Sequence, residues 1–362
     1  MMRSTLLGFV LLTLSCGTPT AITALVVGDD VSCAISGSQT LCWGDGESVP
    51  TRQIFGSEIM ELRIGSETSC ALLTSGWSCW GSNADGQFGV SSPDNTTIPV
   101  PVPFVGESLK LARFGGSFSC GSTMGQLACW GAADRGQLGP SVTTSAFLAT
   151  TIVLPDTVRD FALGRDHACA LTTTMGVWCW GAGTEGQLGD LNARDSAIPV
   201  PVPLDEAFMT QLADLNAIAS LSLGEHHSCA QAGGQVRCWG ADDLGQLGQT
   251  NRNTPLGVYS VPVGEAAGVL QAGANHTCSL SGDGIAQCWG DNASGQLQSP
   301  AQSPMGPLTV GVMPIASIGL GNEHSCAFTG TQVLCWGSAT QGQLGPATGL
   351  DTFVPTMVTG LQ

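Results

Sequence analysis

Fourteen of the fifteen cysteines fall into seven pairs whose members are nine or ten positions apart along the 362-residue chain. Trp-Gly follows the second cysteine of every pair, first at Trp43-Gly44 and last at Trp336-Gly337. Successive Trp-Gly dipeptides are about 50 residues apart, a period typical of propellers, solenoids and other repeat architectures. The pairs are Cys33 and Cys42, Cys70 and Cys79, Cys120 and Cys129, Cys169 and Cys179, Cys229 and Cys238, Cys278 and Cys288, and Cys326 and Cys335.

Each repeat contains short runs in which apolar and polar residues alternate, as they do in β-strands. The stretch from Leu109 to Gly131 shows three such runs, separated by Gly and Ser. Proline alternates with Ile or Val in the segments that begin at Ile98 and Ile198, which indicates outer-edge strands because proline lacks the N–H of a central strand. Three or four strands repeated seven times predict an all-β, seven-bladed β-propeller, with a linear β-solenoid as the alternative.

The cysteine spacing fits hairpins in which the two cysteines face each other. Eight intervening residues provide three cross-strand pairs and a two-residue turn, which in four hairpins contains glycine. The pairs with one more residue match longer turns, such as Gly282-Asp283-Gly284, whereas Thr74-Ser75 fits less well. Opposed residues lie close enough for a disulfide, so the pattern predicts seven disulfides, one in each repeat. The glycine-containing two-residue turns are Gly37-Ser38, Met124-Gly125, Gly233-Gly234 and Gly330-Thr331.

A zinc site is the alternative to disulfides, because four repeats carry a histidine two residues before the first cysteine. Zinc sites usually show short Cys-x-x-Cys spacing and closed sets of four ligands, which this chain lacks. We therefore predict no metal site and no cofactor, and we expect these histidines to be structural residues of the repeat. They are His167, His227, His276 and His324.

The N-terminal segment predicts export. A short basic start precedes the apolar run Thr5 to Leu14, which is too short to span a membrane and fits a signal-peptide core. Ser15-Cys16 follows and resembles a bacterial lipobox, although Thr13 and Leu14 depart from the preferred residues. We expect a signal peptide over 1–15, lipidation of Cys16, a short tether over 16–24 and the propeller over 25–362. By analogy with known lipoproteins, Gly17 favours the outer membrane; the alternative is secretion.

The chain is strongly acidic, with 28 Asp and Glu against 11 Lys and Arg and a net charge of −17. Such a surface repels phosphate backbones, so we expect no nucleic-acid partner. It also disfavours binding to anionic lipid head groups, so contact with a membrane is expected only through the lipid anchor.

The sequence from Gly164 to Gly189 resembles the regulator-of-chromosome-condensation repeat. That pattern reads roughly Gly-x-x-His-Ser-x-Ala-Leu, then Gly-x-Val, then Trp-Gly and Gly-Gln-Leu-Gly; the stretches 224–248 and 321–345 match it as well. The closing tetrapeptide varies at Gly86 and Gly295 and is absent from the first repeat. The resemblance covers essentially the whole mature chain, and it implies a seven-bladed propeller. Together with the N-terminal segment, it predicts a bacterial, exported lipoprotein version of this family.

Founding members of that family exchange nucleotide on a nuclear small GTPase, which an exported, acidic, cysteine-paired chain does not favour. The chain contains no Gly-x-Ser-x-Gly, His-Glu-x-x-His or phosphate-loop motif, which disfavours an enzyme. We expect a monomeric, non-catalytic binding platform for an unknown protein or envelope polymer, with its binding residues not identified. The alternatives are an enzyme inhibitor, resembling the type II β-lactamase inhibitor protein, and a propeller lyase or hydrolase.

Several other features suggest local roles. Acids precede some Gly-Gln-Leu-Gly turns, among them Asp85, Asp134 and the pair Asp242-Asp243, but a calcium site needs about six converging oxygens. Trp77 and Trp178 are expected to pack across strands. Between the fourth and fifth repeats, a helical spacing predicts a short amphipathic helix that covers a blade edge or contacts a partner; its apolar residues are Phe208, Leu212 and Leu215.

Overall fold

The structure, a computed structural model, describes residues 22–37, 39–55, 59–65, 68–91, 95–102, 111–174, 176–214, 219–249, 256–264, 267–300, 306–311, 314–346 and 349–361. Within these ranges the chain forms seven antiparallel four-stranded sheets and one helix. The sheets pack side by side around a central channel as the seven blades of a β-propeller, which confirms the predicted fold. None of the described segments forms a helix that is long and apolar enough to cross a membrane.

Four consecutive strands make up each blade, ordered from the channel outwards. Blade 1 holds β1 (Ala24–Val27), β2 (Val31–Ser36), β3 (Gln39–Gly44) and β4 (Glu47–Gln53); blade 2 holds β5 (Ile59–Ile64), β6 (Thr68–Leu73), β7 (Gly76–Gly81) and β8 (Thr96–Pro101). Blade 3 holds β9 (Leu111–Phe114), β10 (Phe118–Thr123), β11 (Gln126–Gly131) and β12 (Ala146–Ile152); blade 4 holds β13 (Val158–Leu163), β14 (His167–Thr172), β15 (Val177–Gly181) and β16 (Ser196–Pro201).

The remaining blades follow helix α1 (Glu206–Ala213) in the same order. Blade 5 holds β17 (Ala219–Leu223), β18 (His227–Ala232), β19 (Gln235–Gly240) and β20 (Tyr259–Val261). Blade 6 holds β21 (Ala267–Ala272), β22 (His276–Ser281), β23 (Ala286–Gly290) and β24 (Leu308–Thr309). Blade 7 holds β25 (Ser317–Leu320), β26 (His324–Phe328), β27 (Val333–Gly337) and β28 (Thr352–Met357).

The ring closes by packing of two complete blades. The sequence left open whether the C-terminal strand finishes its own blade or joins the strands near Leu25. In the structure β28 pairs with β27, and β1 pairs with β2. Blades 7 and 1 meet through backbone bonds from Gly46 N to Gln341 O (2.9 Å) and from Asn322 N to Asp29 O (2.8 Å).

Seven disulfides join the second and third strands of the blades, in the pairing that the spacing predicts. Each pair is in direct register, and the two Cα atoms are 4.0–4.2 Å apart. In order of the blades, the bonds join Cys33 to Cys42, Cys70 to Cys79, Cys120 to Cys129, Cys169 to Cys179, Cys229 to Cys238, Cys278 to Cys288, and Cys326 to Cys335.

The predicted hairpin turns whose residues all lie in the described ranges also form. They include Thr74-Ser75, where Leu73 lies opposite Gly76. Met124 adopts a left-handed conformation (φ 51°), which its two-residue turn requires.

Proline occurs at one register position in the outer strands of four blades. In β16, for example, Ser196 pairs with Gly181, the glycine of Trp-Gly. The proline, Pro199, follows three residues after Ser196. In β12 the corresponding residue is Ala149. Proline in an edge strand removes an N–H that could pair with another chain, so these edges are protected from edge-to-edge association. The other three prolines are Pro50, Pro99 and Pro355.

Helix α1 forms between blades 4 and 5, as the helical spacing predicted. The carboxylate of Asp205 caps it by accepting a hydrogen bond from Phe208 N (2.9 Å). Phe208 and Leu212 are buried against blades 4 and 5. The guanidinium of Arg237 lies 4.9 Å from the centre of the Phe208 ring, in cation–π contact with it. The helix thus covers a blade edge.

Some predictions concern residues outside the described ranges. They are the signal peptide over 1–15, the lipidated Cys16 and the third apolar helix residue, Leu215. They stay predictions.

Candidate functional site

One end of the channel opens into a cavity of about 1310 Å³ to which all seven blades contribute. Turns between the first and second strands line it, together with the beginnings of loops that follow third strands. We call this cavity the acidic mouth, because its described lining includes eight carboxylates and one guanidinium, that of Arg165. The carboxylates are those of Asp29, Asp30, Asp85, Asp134, Asp166, Glu225, Asp291 and Glu323.

Two acids of the mouth, Asp30 and Asp166, have pKa values that burial and neighbouring carboxylates raise. Burial raises the pKa of the Asp30 carboxyl, and the nearby charge of Asp45 raises it further. Burial also raises the pKa of Asp166, against the opposing effect of the Arg165 guanidinium. These shifts are expected where carboxylates share a confined space, because each charge disfavours ionisation of the next.

Arg165 connects two acids at the rim of the mouth. Its Nε atom lies 3.7 Å from Asp166 Oδ2, and its Nη1 atom donates a hydrogen bond to Glu225 Oε1 in blade 5. With half of its side chain exposed, Arg165 neutralises only part of the local charge. The mouth as a whole therefore has a negative potential that attracts cationic groups.

Below the mouth the innermost strands narrow the channel. Six aliphatic side chains line both the mouth and a second cavity of about 450 Å³ further along the channel. These side chains separate the acidic end from the remainder of the channel. They are Val27, Ile64, Leu163, Leu223, Ala272 and Leu320.

The four repeat histidines join adjacent blades just behind the mouth. Each is fully buried, and its Nε2 atom lies 2.8–3.0 Å from a hydroxyl of the next blade. The hydroxyl of Ser228 donates to Gln187 O (2.9 Å), so the Nε2–H of His167 must be the donor to Ser228. The prediction that these histidines are structural agrees with this geometry. The pairs are His167–Ser228, His227–Thr277, His276–Ser325 and His324–Ser32.

Burial lowers the pKa of all four histidines, to about 3 for His167 and His276 and about 4 for His227 and His324. Nδ1 of His167 has no hydrogen-bond partner within the described residues. Gly164 is required beside it, since a Cβ there would clash with the His167 ring and with Gly224 O. Protonation would place an unpaired charge in this apolar site, so the rings are neutral at physiological pH.

Blades 3 and 4 meet through an apolar pair instead. Phe118 occupies the histidine position of blade 3, and Ala168 occupies the hydroxyl position of blade 4; both are fully buried in one cluster. The two exchanges compensate each other, because a serine opposite phenylalanine would lose the histidine as its partner.

The Gly-Gln-Leu-Gly loops make a second contact between blades. Six of the seven Trp-Gly tryptophans donate their indole N–H to the backbone carbonyl of the glutamine in the preceding blade, at 2.8–2.9 Å. The glutamine side chain closes its own turn, as where Gln187 Oε1 accepts from Glu185 N at 2.9 Å. The six donors are Trp43, Trp130, Trp180, Trp239, Trp289 and Trp336.

Acids that precede the Gly-Gln-Leu-Gly turns accept hydrogen bonds from the glutamines of those turns. Asp243 Oδ1 accepts from Gln246 Nε2 at 3.0 Å, and Asp134 Oδ1 accepts from Gln137 Nε2 at 3.3 Å. In the described part of the chain, no three His, Cys, Asp or Glu side chains come together as metal ligands would. Trp77, buried and opposite Leu72, packs across strands as expected.

Sequence reasoning identified only two residues of the mouth, Asp85 and Asp134. The others were missed because they come from turns of different blades that only the closed ring brings together. A signal was present: an acid stands directly before the repeat histidine in two repeats, as Asp166 and Glu323 do.

Comparison with known proteins identifies the repeat. Two family models of the regulator of chromosome condensation (RCC1) repeat match, one at residues 158–187 and 270–296 and the other at 176–231. The ultraviolet-B receptor of Arabidopsis thaliana is 31% identical over 167 residues, which is 43% of this chain and 38% of the receptor. The human regulator of chromosome condensation is 30% identical over 130 residues, or 34% of this chain. That match spans 31% of the human protein.

A solved structure extends the likeness in fold to the whole ring. The yeast regulator of chromosome condensation, Prp20, solved with Kap60 bound, superposes with a TM-score of 0.75 over 99% of this chain and 91% of its own. The two sequences are 19% identical, so this comparison concerns the fold alone. The matched repeats, for their part, identify this chain as a protein of regulator of chromosome condensation repeats, folded as seven blades.

Proposed function

We propose that this protein is a lipid-anchored, non-catalytic binding platform of the bacterial cell envelope. The propeller would bind a basic segment of a partner protein at the acidic mouth. A propeller of this family is a scaffold for binding or regulation. The single observation that supports the mouth as the binding face is its charge: eight carboxylates from seven blades surround one open cavity with one guanidinium.

Charge complementarity supports one of the two kinds of partner expected from the sequence. A potential of one sign, concentrated in a concave surface, attracts partners of the opposite sign and repels those of the same sign. Anionic envelope polymers are therefore disfavoured at the mouth. A protein segment rich in Lys or Arg is favoured.

Capture from an envelope extract tests this function. The full chain, in its oxidised form, is the bait, and bound proteins are identified by mass spectrometry. In the mouth variant, Glu225→Gln with Glu323→Gln, charge is removed without a change in size. The matched control, Glu206→Gln with Asp283→Asn, removes equal charge from helix α1 and from the hairpin turn between β22 and β23. Both positions lie at the other end of the channel from the mouth.

We expect one basic protein to be retained by the wild type and the control, with weaker retention by the mouth variant and in higher salt. Equal retention by both variants would exclude the mouth as the binding face. Retention of a polymer without protein would overturn the protein-partner proposal. Capture of an enzyme with loss of its activity would instead favour the inhibitor function.

The anchor has a separate test. Cleavage and lipidation at Cys16 predict an N-terminal peptide that carries acyl chains and a protein that fractionates with the outer membrane. Cys16→Ser should release the protein from the membrane fraction. An unmodified N-terminus beyond Cys16 in the wild type would favour secretion.

A further inference from the structure

Blade 1 lacks a loop that other blades have. In blades 2, 3, 4 and 7, the third strand is joined to the outer strand by 14 residues, for example residues 182–195 between Gly181 and Ser196. In blade 1 two residues, Asp45 and Gly46, make this connection.

The loop fills the junction with the next blade. In blade 4, Gln187 O accepts hydrogen bonds from Ser228 Oγ (2.9 Å) and Trp239 Nε1 (2.9 Å), two opposed residues of blade 5. The neighbouring Leu188 is fully buried against the Trp239 cluster. The same pair of donors converges on Gln87 O and on Gln296 O. Each of these junctions thus binds one backbone carbonyl and one apolar side chain, both from the loop of the preceding blade.

The junction between blades 1 and 2 has the same two donor residues, but among the described residues no loop of blade 1 binds to them. Ser69 and Trp80 face each other on β6 and β7, in the positions of Ser228 and Trp239. Both are partly exposed, whereas their counterparts in blade 5 are fully buried. Within the described ranges neither Ser69 Oγ nor Trp80 Nε1 has a hydrogen-bond partner, and Val31 of blade 1 stands where four other blades have histidine.

Phe55 takes over part of the role of the missing loop. Its ring lies 5.5 Å from that of Trp80, in a tilted arrangement that covers one side of the indole. It supplies apolar contact in place of the loop leucine, but no carbonyl oxygen. Among the residues that the structure describes, the indole N–H of Trp80 and the hydroxyl of Ser69 therefore have no acceptor.

We propose that the junction of blades 1 and 2 is a docking site for a turn of the partner protein. A backbone carbonyl of this turn accepts hydrogen bonds from Ser69 Oγ and Trp80 Nε1, and its apolar side chain covers the exposed part of the indole. The proposal rests on the proposed function, in that the partner is a protein, and it adds a second contact at the rim. The occupant follows from the molecule itself, since a carbonyl of a glycine-flanked turn fills the equivalent position elsewhere.

An anionic ligand does not suit this junction. Asp45 lies in the shortened turn, and its backbone N–H donates a hydrogen bond to Asp30 O (2.9 Å). The two carboxylates are close enough that the charge of Asp45 raises the pKa of Asp30. A neutral peptide carbonyl, or one with a cationic residue nearby, avoids this repulsion.

The first test uses a synthetic peptide as the probe. The peptide has the sequence of residues 182–195 with Glu185→Gln, Asp190→Asn and Asp195→Asn, so that it carries no negative side chain. The indole N–H of Trp80 is followed by NMR in the full-length protein, after assignment with Trp80→Phe. We expect a saturable shift of this one resonance and about threefold to tenfold weaker binding to Ser69→Ala. Binding to Trp80→Phe, which lacks the resonance, is measured by isothermal titration calorimetry and should be weaker to the same extent. Trp178→Phe, which changes a tryptophan outside the junctions, should bind as the wild type does. No shift, or equal binding to all three variants, would overturn the site.

The second test fills the junction from within the chain. Replacing Asp45-Gly46 by residues 182–195 should bury the Trp80 indole, raise the Tm and abolish binding of the peptide. A 14-residue Gly-Ser loop at the same place is the control for crowding of the rim, and it should leave the indole free. If the graft still binds the peptide, the site is not the junction.

The two proposals can fail separately. If the captured partner protein is lost from the mouth variant but still binds the graft variant, the platform function is supported and the docking site is rejected. Peptide binding at Trp80 without any captured protein would support the docking site and reject the proposed function as stated.

Discussion

Ser228 Oγ and Trp239 Nε1 donate to the same atom, the backbone oxygen of Gln187, each at 2.9 Å. The two residues are opposed on neighbouring strands of blade 5, and the oxygen belongs to blade 4. One carbonyl therefore binds a hairpin of the next blade at two points. Because Ser228 also accepts from His167, three side chains and one backbone group form a continuous buried network.

Ser228→Ala should destabilise the protein much more than the same change at the open junction. It removes the bond to Gln187 O and leaves His167 without an acceptor in the core, which costs about 1–3 kcal/mol. Ser69→Ala removes a hydroxyl that has no partner within the described residues, so we expect a change within about 0.5 kcal/mol. Urea unfolding of both oxidised variants measures the difference. Equal losses would mean that the network contributes no stability of its own.

Acid should destabilise the ring through the four buried histidines. Their pKa values are about 3 to 4 in the folded protein, against about 6.5 when unfolded, so the unfolded chain binds more protons in between. The stability is fully present above pH 6.5 and is lost as the pH falls towards 4. Each histidine contributes a slope of about 1.4 kcal/mol per pH unit in the middle of this window.

A double variant tests the cause of this pH dependence. His167→Phe with Ser228→Ala reproduces the apolar pair Phe118–Ala168 at another junction and should remove about a quarter of the slope. Phe118→Leu, at the apolar junction of blades 3 and 4, is the control and should leave the slope unchanged. Tm measured between pH 4 and 7 provides the comparison. A slope that the double variant does not alter would assign the pH dependence to the carboxylates.

The disulfide of blade 1 should be the first to be reduced in the folded protein. Cys42 is 7% exposed, while the twelve cysteines of the other blades are 0% exposed. A phosphine reductant followed by alkylation and mass spectrometry should label Cys33 and Cys42 well before Cys169 and Cys179. Simultaneous labelling of all pairs would mean that reduction requires global unfolding.

Ala149→Pro should be tolerated. Four other outer strands carry proline at this register, so the backbone conformation accepts it, and the loss of chain entropy in the unfolded state favours folding by about 0.4–1 kcal/mol. Ala128→Pro in the central strand β11 is the control, since it removes a ladder bond and should cost about 3 kcal/mol or more. The Tm values of the two variants, taken together, test the assignment of edge and central strands.

The sequence was sufficient to predict the blades, because the period and the Gly-containing turns are local signals. Cys229 and Cys238 determine the register of their hairpin, and the same reasoning applies in each repeat. The mouth was not predictable, because Asp30 and Asp166 are 136 positions apart and share a cavity only in the closed ring. Bonds such as His324 to Ser32, 292 positions apart, were hidden for the same reason.

One signal of the open junction was present in the first repeat, which lacks Gly-Gln-Leu-Gly. The consequence for Ser69 and Trp80 was not visible, because it requires knowing that each loop serves the following blade. Phe55 lies two residues after β4 and outside the repeat motif, so its approach to Trp80 could not be inferred from the repeat pattern.

The short turn of blade 1 also determines how the ring depends on chain connectivity. Blades 7 and 1 have no covalent link, yet at their junction Trp43 donates to Gln343 O (2.9 Å) and Ser32 is hydrogen-bonded to His324 (2.9 Å). Blades 1 and 2 lack those contacts, but the polypeptide runs directly from one to the other. A circular permutant with new termini between blades 1 and 2 would therefore have neither the chain nor the loop contacts to join these two blades, and the ring would open there. A permutant cut between blades 4 and 5 would keep the loop contacts and stay closed.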